Sequence, residues 1–129
     1  MIMWIINGVL LIALLAIVLL PRFRPRFYAK LIDNREFNQK ISENAQLFDV
    51  REAAQFRKKH IMGARNIPAN QVEQSLGSFS KDKDILLYEN GRPQHTTSVA
   101  SKLKKAGYKN VFILKEGLSK WGGKVKENS

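Results

Sequence analysis

The chain contains no cysteine. That excludes disulfides, thiolate metal ligands, iron–sulfur ligation and a thiol nucleophile. It also excludes a cysteine-linked lipid anchor, and it fits a reducing compartment. Histidine is scarce too, with only two residues, His60 and His95. Two histidines without a cysteine argue against a metal site, and no metal or other cofactor is expected. Acidic residues number 11 against 22 lysines and arginines, a net charge of +11. The lysines Lys102, Lys104, Lys105 and Lys109 cluster modestly, but no aromatic platform accompanies them. Nucleic-acid binding would call for a basic stripe with interleaved aromatics, so this charge reads instead as a solvated basic face.

Charge is missing altogether from Ile2 to Leu20, "IMWIINGVLLIALLAIVLL", whose one strongly polar side chain is Asn7. As a helix at about 1.5 Å per residue this run just matches a hydrocarbon core of roughly 30 Å. A core helix of a soluble domain would show a polar face. The run is therefore expected to be a transmembrane helix over 2–20. A cleaved signal peptide would want a basic start and a small-x-small site, whereas Val18, Leu19 and Leu20 are bulky. Trp4 suits a membrane interface.

"PRFRPRFYAK" follows, with Arg22, Arg24, Arg26 and Lys30. These basic residues predict attraction to anionic headgroups. By the positive-inside rule they predict a single-pass cell-membrane protein, with its N-terminus outside and its domain in the cytoplasm. Pro21 and Pro25 mark 21–26 as a short spacer rather than more helix. A domain is expected over 27–125, and a frayed tail over 126–129.

Within the domain, short apolar runs alternate with helical segments. "YAKLI", "AQLFDV", "DILLY" and "NVFIL" read as strands. "DNREFNQKIS", "REAAQFRKKH", "ANQVEQSLGSF" (stopped at Gly77) and "HTTSVASKLKKAG" read as helices, and "GLSKW" as the start of a last one. Strands alternating with helices predict an α/β fold, a small doubly wound parallel sheet covered on both faces. Sites in such sheets lie at the carboxyl ends of strands. The loops after Val50 and after Tyr88 are the candidates. The second joins a buried strand to a helix start, where free N–H groups and the helix dipole favour an anion.

Three stretches in this order resemble the rhodanese-like family. "LFDVREAAQF" is similar to its strand ending in Asp-Val-Arg-Glu. "HIMGARNIP" is similar to its His-Ile-Pro-Gly-Ala-x-Asn-Ile-Pro segment, with Met62 for the first proline. "AGYKNVFILKEGLSKW" is similar to its closing segment, with Glu116 where glycine is usual. The resemblance spans Phe27 to Trp121. It implies a small doubly wound α/β domain whose active members carry sulfur as a persulfide on a cysteine. That cysteine begins the loop after the central strand, where N–H groups lower the thiol pKa and stabilise a transferred anion.

At the matching position this chain has Glu89. Matched backward from Gly107, the loop is one residue longer than the sulfurtransferase form. It reads Glu89, Asn90, Gly91, Arg92, Pro93, Gln94, His95, with His95 where an arginine would close it. A loop of that length resembles the phosphatase and arsenate-reductase branch, which also needs the cysteine. A carboxylate cannot hold a persulfide, and it repels anions. Pro93 removes one N–H from the loop.

Several roles stay open. Glu89 is either a nucleophile or base, or a carboxylate that fills the loop itself and caps the helix dipole. The second role is the one expected. His95 is a base or a helix-start residue, and His60 a hydrogen-bonded turn residue. Asp49 and Arg51 sit at the site mouth as a pair holding the strand-to-helix turn. Arg92 is the exposed cation facing a ligand. The expectation is a membrane-tethered rhodanese-like domain without catalysis, binding an unidentified protein or small ligand. The alternative is a sulfurtransferase- or phosphatase-type enzyme using a non-cysteine residue. A weaker third reading is a basic module for membrane surfaces or nucleic acid.

Overall fold

The computed structural model describes residues 2–23 and 29–127. Helix α1 spans Ile2–Phe23. It runs three residues past the expected 2–20 and includes Pro21. Among the described residues no helix is long and apolar enough to cross a membrane. The side chains described along α1 are those of 3–15, roughly 20 Å of helix against ~30 Å of hydrocarbon. The expected spanning helix is thus not met among the described residues. Every described side chain of α1 is exposed, including Trp4, Leu11 and Ile12. Arg24 and Arg26 lie outside the described residues.

The domain begins with β1 (Lys30–Ile32), α2 (Asn34–Ser42), β2 (Gln46–Asp49) and α3 (Ala53–Lys58). Then come β3 (Lys59–Ile61), β4 (Arg65–Asn66), β5 (Ile85–Tyr88), α4 (His95–Lys105), β6 (Val111–Leu114) and β7 (Val125–Glu127). Five strands form a parallel sheet in the order β1-β6-β5-β2-β4. All four residues of β5 are buried, as a central strand covered on both faces requires. On one face Val99, Ala100 and Leu103 of α4 pack with Phe48, Leu87, Val111 and Ile113. On the other, Phe37 of α2 packs with Leu47, Leu86, Tyr88 and Leu114. Each such side chain contributes ~1.5–3 kcal/mol by leaving water. Asp33 starts α2 by accepting the Glu36 N–H at 2.9 Å. Gly107, at φ +94, ends the turn after α4.

Other expectations change. The helix expected over "REAAQFRKKH" stops at Lys58, and Lys59 and His60 pass into β3. The segment after Pro68 is two 3₁₀ turns, Ala69–Gln71 and Glu73–Ser78, kinked at Ser75 and running past Gly77. "GLSKW" makes one 3₁₀ turn, Leu118–Lys120, because Gly122 and Gly123 follow instead of a helical face. Lys126 and Glu127 are not frayed. They belong to β7, which pairs antiparallel with β3 through Lys59–Glu127, His60–Lys126 and Ile61–Val125. Residues 128–129 lie outside the described residues.

Candidate functional site

Strands β2 and β5 are adjacent and parallel, so their carboxyl ends open side by side. At the end of β2, Asp49 is fully buried. Its Oδ1 accepts the Arg51 backbone N–H at 2.8 Å, and Arg51 Nη2 donates to Oδ2 at 2.7 Å. Such a buried carboxylate needs a cation and hydrogen bonds to stay charged. Arg51, only 7 % exposed at its side chain, also donates to the Lys59 carbonyl and, through Nη1 at 2.9 Å, to Asn90 Oδ1. Asn66 of β4 donates to the carbonyls of Asp49 and Arg51 at 3.0 and 2.9 Å. Arg51 thus ties the loop after β2 to the loop after β5.

At the end of β5, Glu89 opens the loop that leads into α4. Its Oε2 accepts the N–H groups of Gln94 and Thr96, both at 2.8 Å, and the Thr96 hydroxyl at 2.9 Å. Its Oε1 lies 3.2 Å from His95 Nδ1, a hydrogen bond when that nitrogen carries the proton. Burial pushes the Glu89 carboxyl up, but these donors outweigh it and hold the group below its ordinary value. The carboxylate therefore sits where the free N–H groups of the helix start would otherwise receive an anion. This lowered affinity for protons makes Glu89 a weaker base, further from the neutral range where general bases work best.

The loop backbone is held from a third side. Leu118 N–H donates to the Glu89 carbonyl at 2.8 Å, and Ser119 N–H to the Asn90 carbonyl at 2.9 Å. Gly117, at φ +73, makes this approach possible. A Cβ there would stand 2.6 Å from the Asn90 carbonyl carbon and oxygen. Tyr88, buried beneath, accepts the Ile61 N–H at 3.0 Å. Burial first, and the Asp49 carboxylate second, hold its phenol far above the ordinary value, so it stays neutral.

Between the loops lies a cleft of ≈ 460 Å³, lined by Val50, Arg51, Glu52, Gln55, Pro68, Ala69, Asn70, Glu89, Asn90 and His95. The structure brings Arg51, Glu89, Asn90 and His95 of the sequence candidates to this cleft, with Asp49 behind Arg51. Gly91, Arg92 and Pro93 form the outer part of the loop, and Gln94 is the residue before α4. Arg92 is exposed but does not line the cleft. His95 is the first residue of α4. His60 lies in β3, its Nδ1 2.7 Å from the Phe56 carbonyl and its ring stacked on Phe56. Lys30 is exposed in β1. The sequence reading missed the wall made by Pro68, Ala69 and Asn70, for which the signal was the extended segment ending at Pro68. Among the described residues no group of three or more histidines and carboxylates is placed to hold a metal ion.

A five-stranded parallel sheet between helices, with its cleft at the strand ends and a buried strand feeding a helix start, defines a doubly wound α/β domain. The chain belongs to the rhodanese-like domain family, whose model matches residues 33–124. It is 42 % identical over 87 residues to YqhL of Bacillus subtilis, covering 64 % of each chain. It is 34 % identical over 116 residues to YibN of Escherichia coli K12, covering 87 % of this chain and 81 % of that one. It is also similar to a putative sulfur carrier protein, YrkF of Bacillus subtilis, at 32 % identity over 92 residues; the match spans 49 % of YrkF. Among solved structures, the rhodanese-like domain of Anabaena Alr3790 superposes with a TM-score of 0.67 at 28 % identity, covering 76 % of this chain and 79 % of that domain.

Proposed function

We propose that the chain is a membrane-tethered rhodanese-like domain that binds a protein or small ligand through the cleft and does not transfer sulfur. The observation that carries this reading is the Glu89 carboxylate, seated on the Gln94 and Thr96 N–H groups. A negative charge already occupies the place that would receive a transferred anion. The cleft as a whole repeats the message. Arg51 is paired with Asp49, while Glu52 and Glu89 remain. Thiosulfate or phosphate would meet net negative charge at close range. The likeness to a putative sulfur carrier makes sulfur transfer the rival reading. That chemistry needs a thiolate, and this chain has none.

Tethering is supported by the uncharged run of Ile2–Leu20, by the exposed apolar side chains of α1, and by Arg22, Arg24, Arg26 and Lys30 after it. That charge distribution favours the N-terminus outside and the domain in the cytoplasm.

The test uses the full-length chain in detergent or nanodiscs, assayed with thiosulfate and cyanide and with an aryl phosphate. No turnover above buffer is expected. Turnover that disappears in Glu89→Gln would overturn the reading. The variant Glu89→Cys is expected to gain a persulfide detectable by mass spectrometry, because the N–H groups that seat the carboxylate would receive the terminal sulfur.

A further inference from the structure

The cleft lies at the carboxyl ends of the strands. At their amino ends, on the opposite side of the domain, a second cavity of ≈ 580 Å³ runs along the sheet edge. Its lining is mostly apolar: Ala29, Leu31, Val111 and Phe112, with Lys30 and Lys109 as its charges. Leu31 is 50 % exposed, while its neighbour Ile32 is 2 % exposed. In register Leu31 pairs with Ile113, and β1 is the sheet's edge strand. Lys30 and Lys109 are exposed, and neither is in an ion pair among the described residues. Among the described residues no carboxylate lines this groove. Lys104 and Lys105, which close α4, stand at the same end of the sheet, as do Lys83 and its neighbours Asp82 and Asp84, before β5.

Two observations name the occupant. One is charge: an apolar strip flanked by unpaired lysines matches acyl-chain roots beneath anionic headgroups. The other is reach. From Phe23, the end of α1, to Ala29 is a chain stretch that can extend no more than about 20 Å. The groove begins at Ala29, so it lies within that reach of the apolar helix.

We propose that this amino-end groove docks on the headgroup layer of an anionic bilayer, with Leu31 inserted and Lys30 and Lys109 on phosphate oxygens. The proposal rests on the tethering by α1 proposed above. Its consequence is orientation. With the amino ends of the strands against the membrane, the cleft at their carboxyl ends faces away from the lipid and is open to a soluble partner.

Because the chain has no cysteine, single thiols report one position each. Full-length Leu31→Cys, Lys109→Cys and Glu116→Cys would carry an environment-sensitive fluorophore. Each would be reconstituted in phosphatidylcholine vesicles with or without phosphatidylglycerol, with a spin-labelled lipid as quencher. Labels at positions 31 and 109 are expected to shift to the blue and be quenched only with phosphatidylglycerol; the label at 116, beyond β6, is not. Molar salt should release the docking, since it shortens the screening length to about 3 Å. Lys30→Glu and Lys109→Glu should each lower the docked fraction by about fivefold or more. Release of the chain by alkaline carbonate would overturn the tethering and the docking with it. Retention in the vesicles with an unquenched label at 31 would overturn the docking alone. So would a shift that follows protein density instead of lipid charge, which would assign the groove to a second copy.

Discussion

β2 and β5 end next to each other, each with a carboxylate, and the chain treats the two in opposite ways. Asp49 meets a guanidinium that grips both of its oxygens. Its charge is cancelled on the spot, and the pair is largely withdrawn from water. Glu89 meets backbone N–H groups and a hydroxyl at the start of α4. Those donors stabilise the charge without cancelling it. The same functional group therefore gives a fixed strut in one loop and a standing negative charge in the other. The strut ties the two loops together, whereas the standing charge sets the sign of the cleft.

The largest expected effect comes from breaking the strut. Asp49→Ala leaves Arg51 nearly buried without its partner, a loss of about 3–5 kcal/mol. Urea unfolding should show it as a lower midpoint with the loop after β5 also loosened, because Arg51 reaches Asn90. Next is Glu89→Gln, which keeps an acceptor for Thr96 but removes the charge. A loss of roughly 1–2 kcal/mol is expected near neutral pH. The pH dependence sharpens the comparison. The folded Glu89 binds its proton less readily than the unfolded one. Its contribution is full above the ordinary carboxylate range and is lost as pH falls through the folded value. The difference between wild type and Glu89→Gln in denaturant unfolding should therefore shrink towards strongly acid pH. A difference that stays constant would mean the charge plays no part. The smallest effect is Thr96→Val, which removes one of three donors to Oε2 and should cost about 1 kcal/mol. It should also raise the pH at which the Glu89 contribution fades, as read by carboxyl NMR titration.

Much of this was legible in the sequence because the signals were strong and local. The runs "LFDV", "ILLY" and "VFIL" became β2, β5 and β6, since central parallel strands are apolar on both faces. Glu89 was recognisable from its place between a buried strand and a helix start. The pairing of Asp49 with Arg51 followed from their spacing at a strand-to-helix turn. The β3–β7 pair was not legible, because "KHI" and "VKE" are short, polar and far apart, and only their pairing defines them. Nor was the hold of Leu118 and Ser119 on the Glu89 loop. It runs through backbone groups, which carry no residue signature apart from Gly117.

The strand order has a consequence for how the chain is made. Among the described residues β1 is the first strand in the chain and has β6 as its one neighbour in the sheet, and β6 is among the last. Through most of synthesis β1 waits unpaired beside the apolar segment that precedes it. Until β6 emerges, β1 has no strand of this sheet to pair with, and that interval is when it is exposed to misassembly.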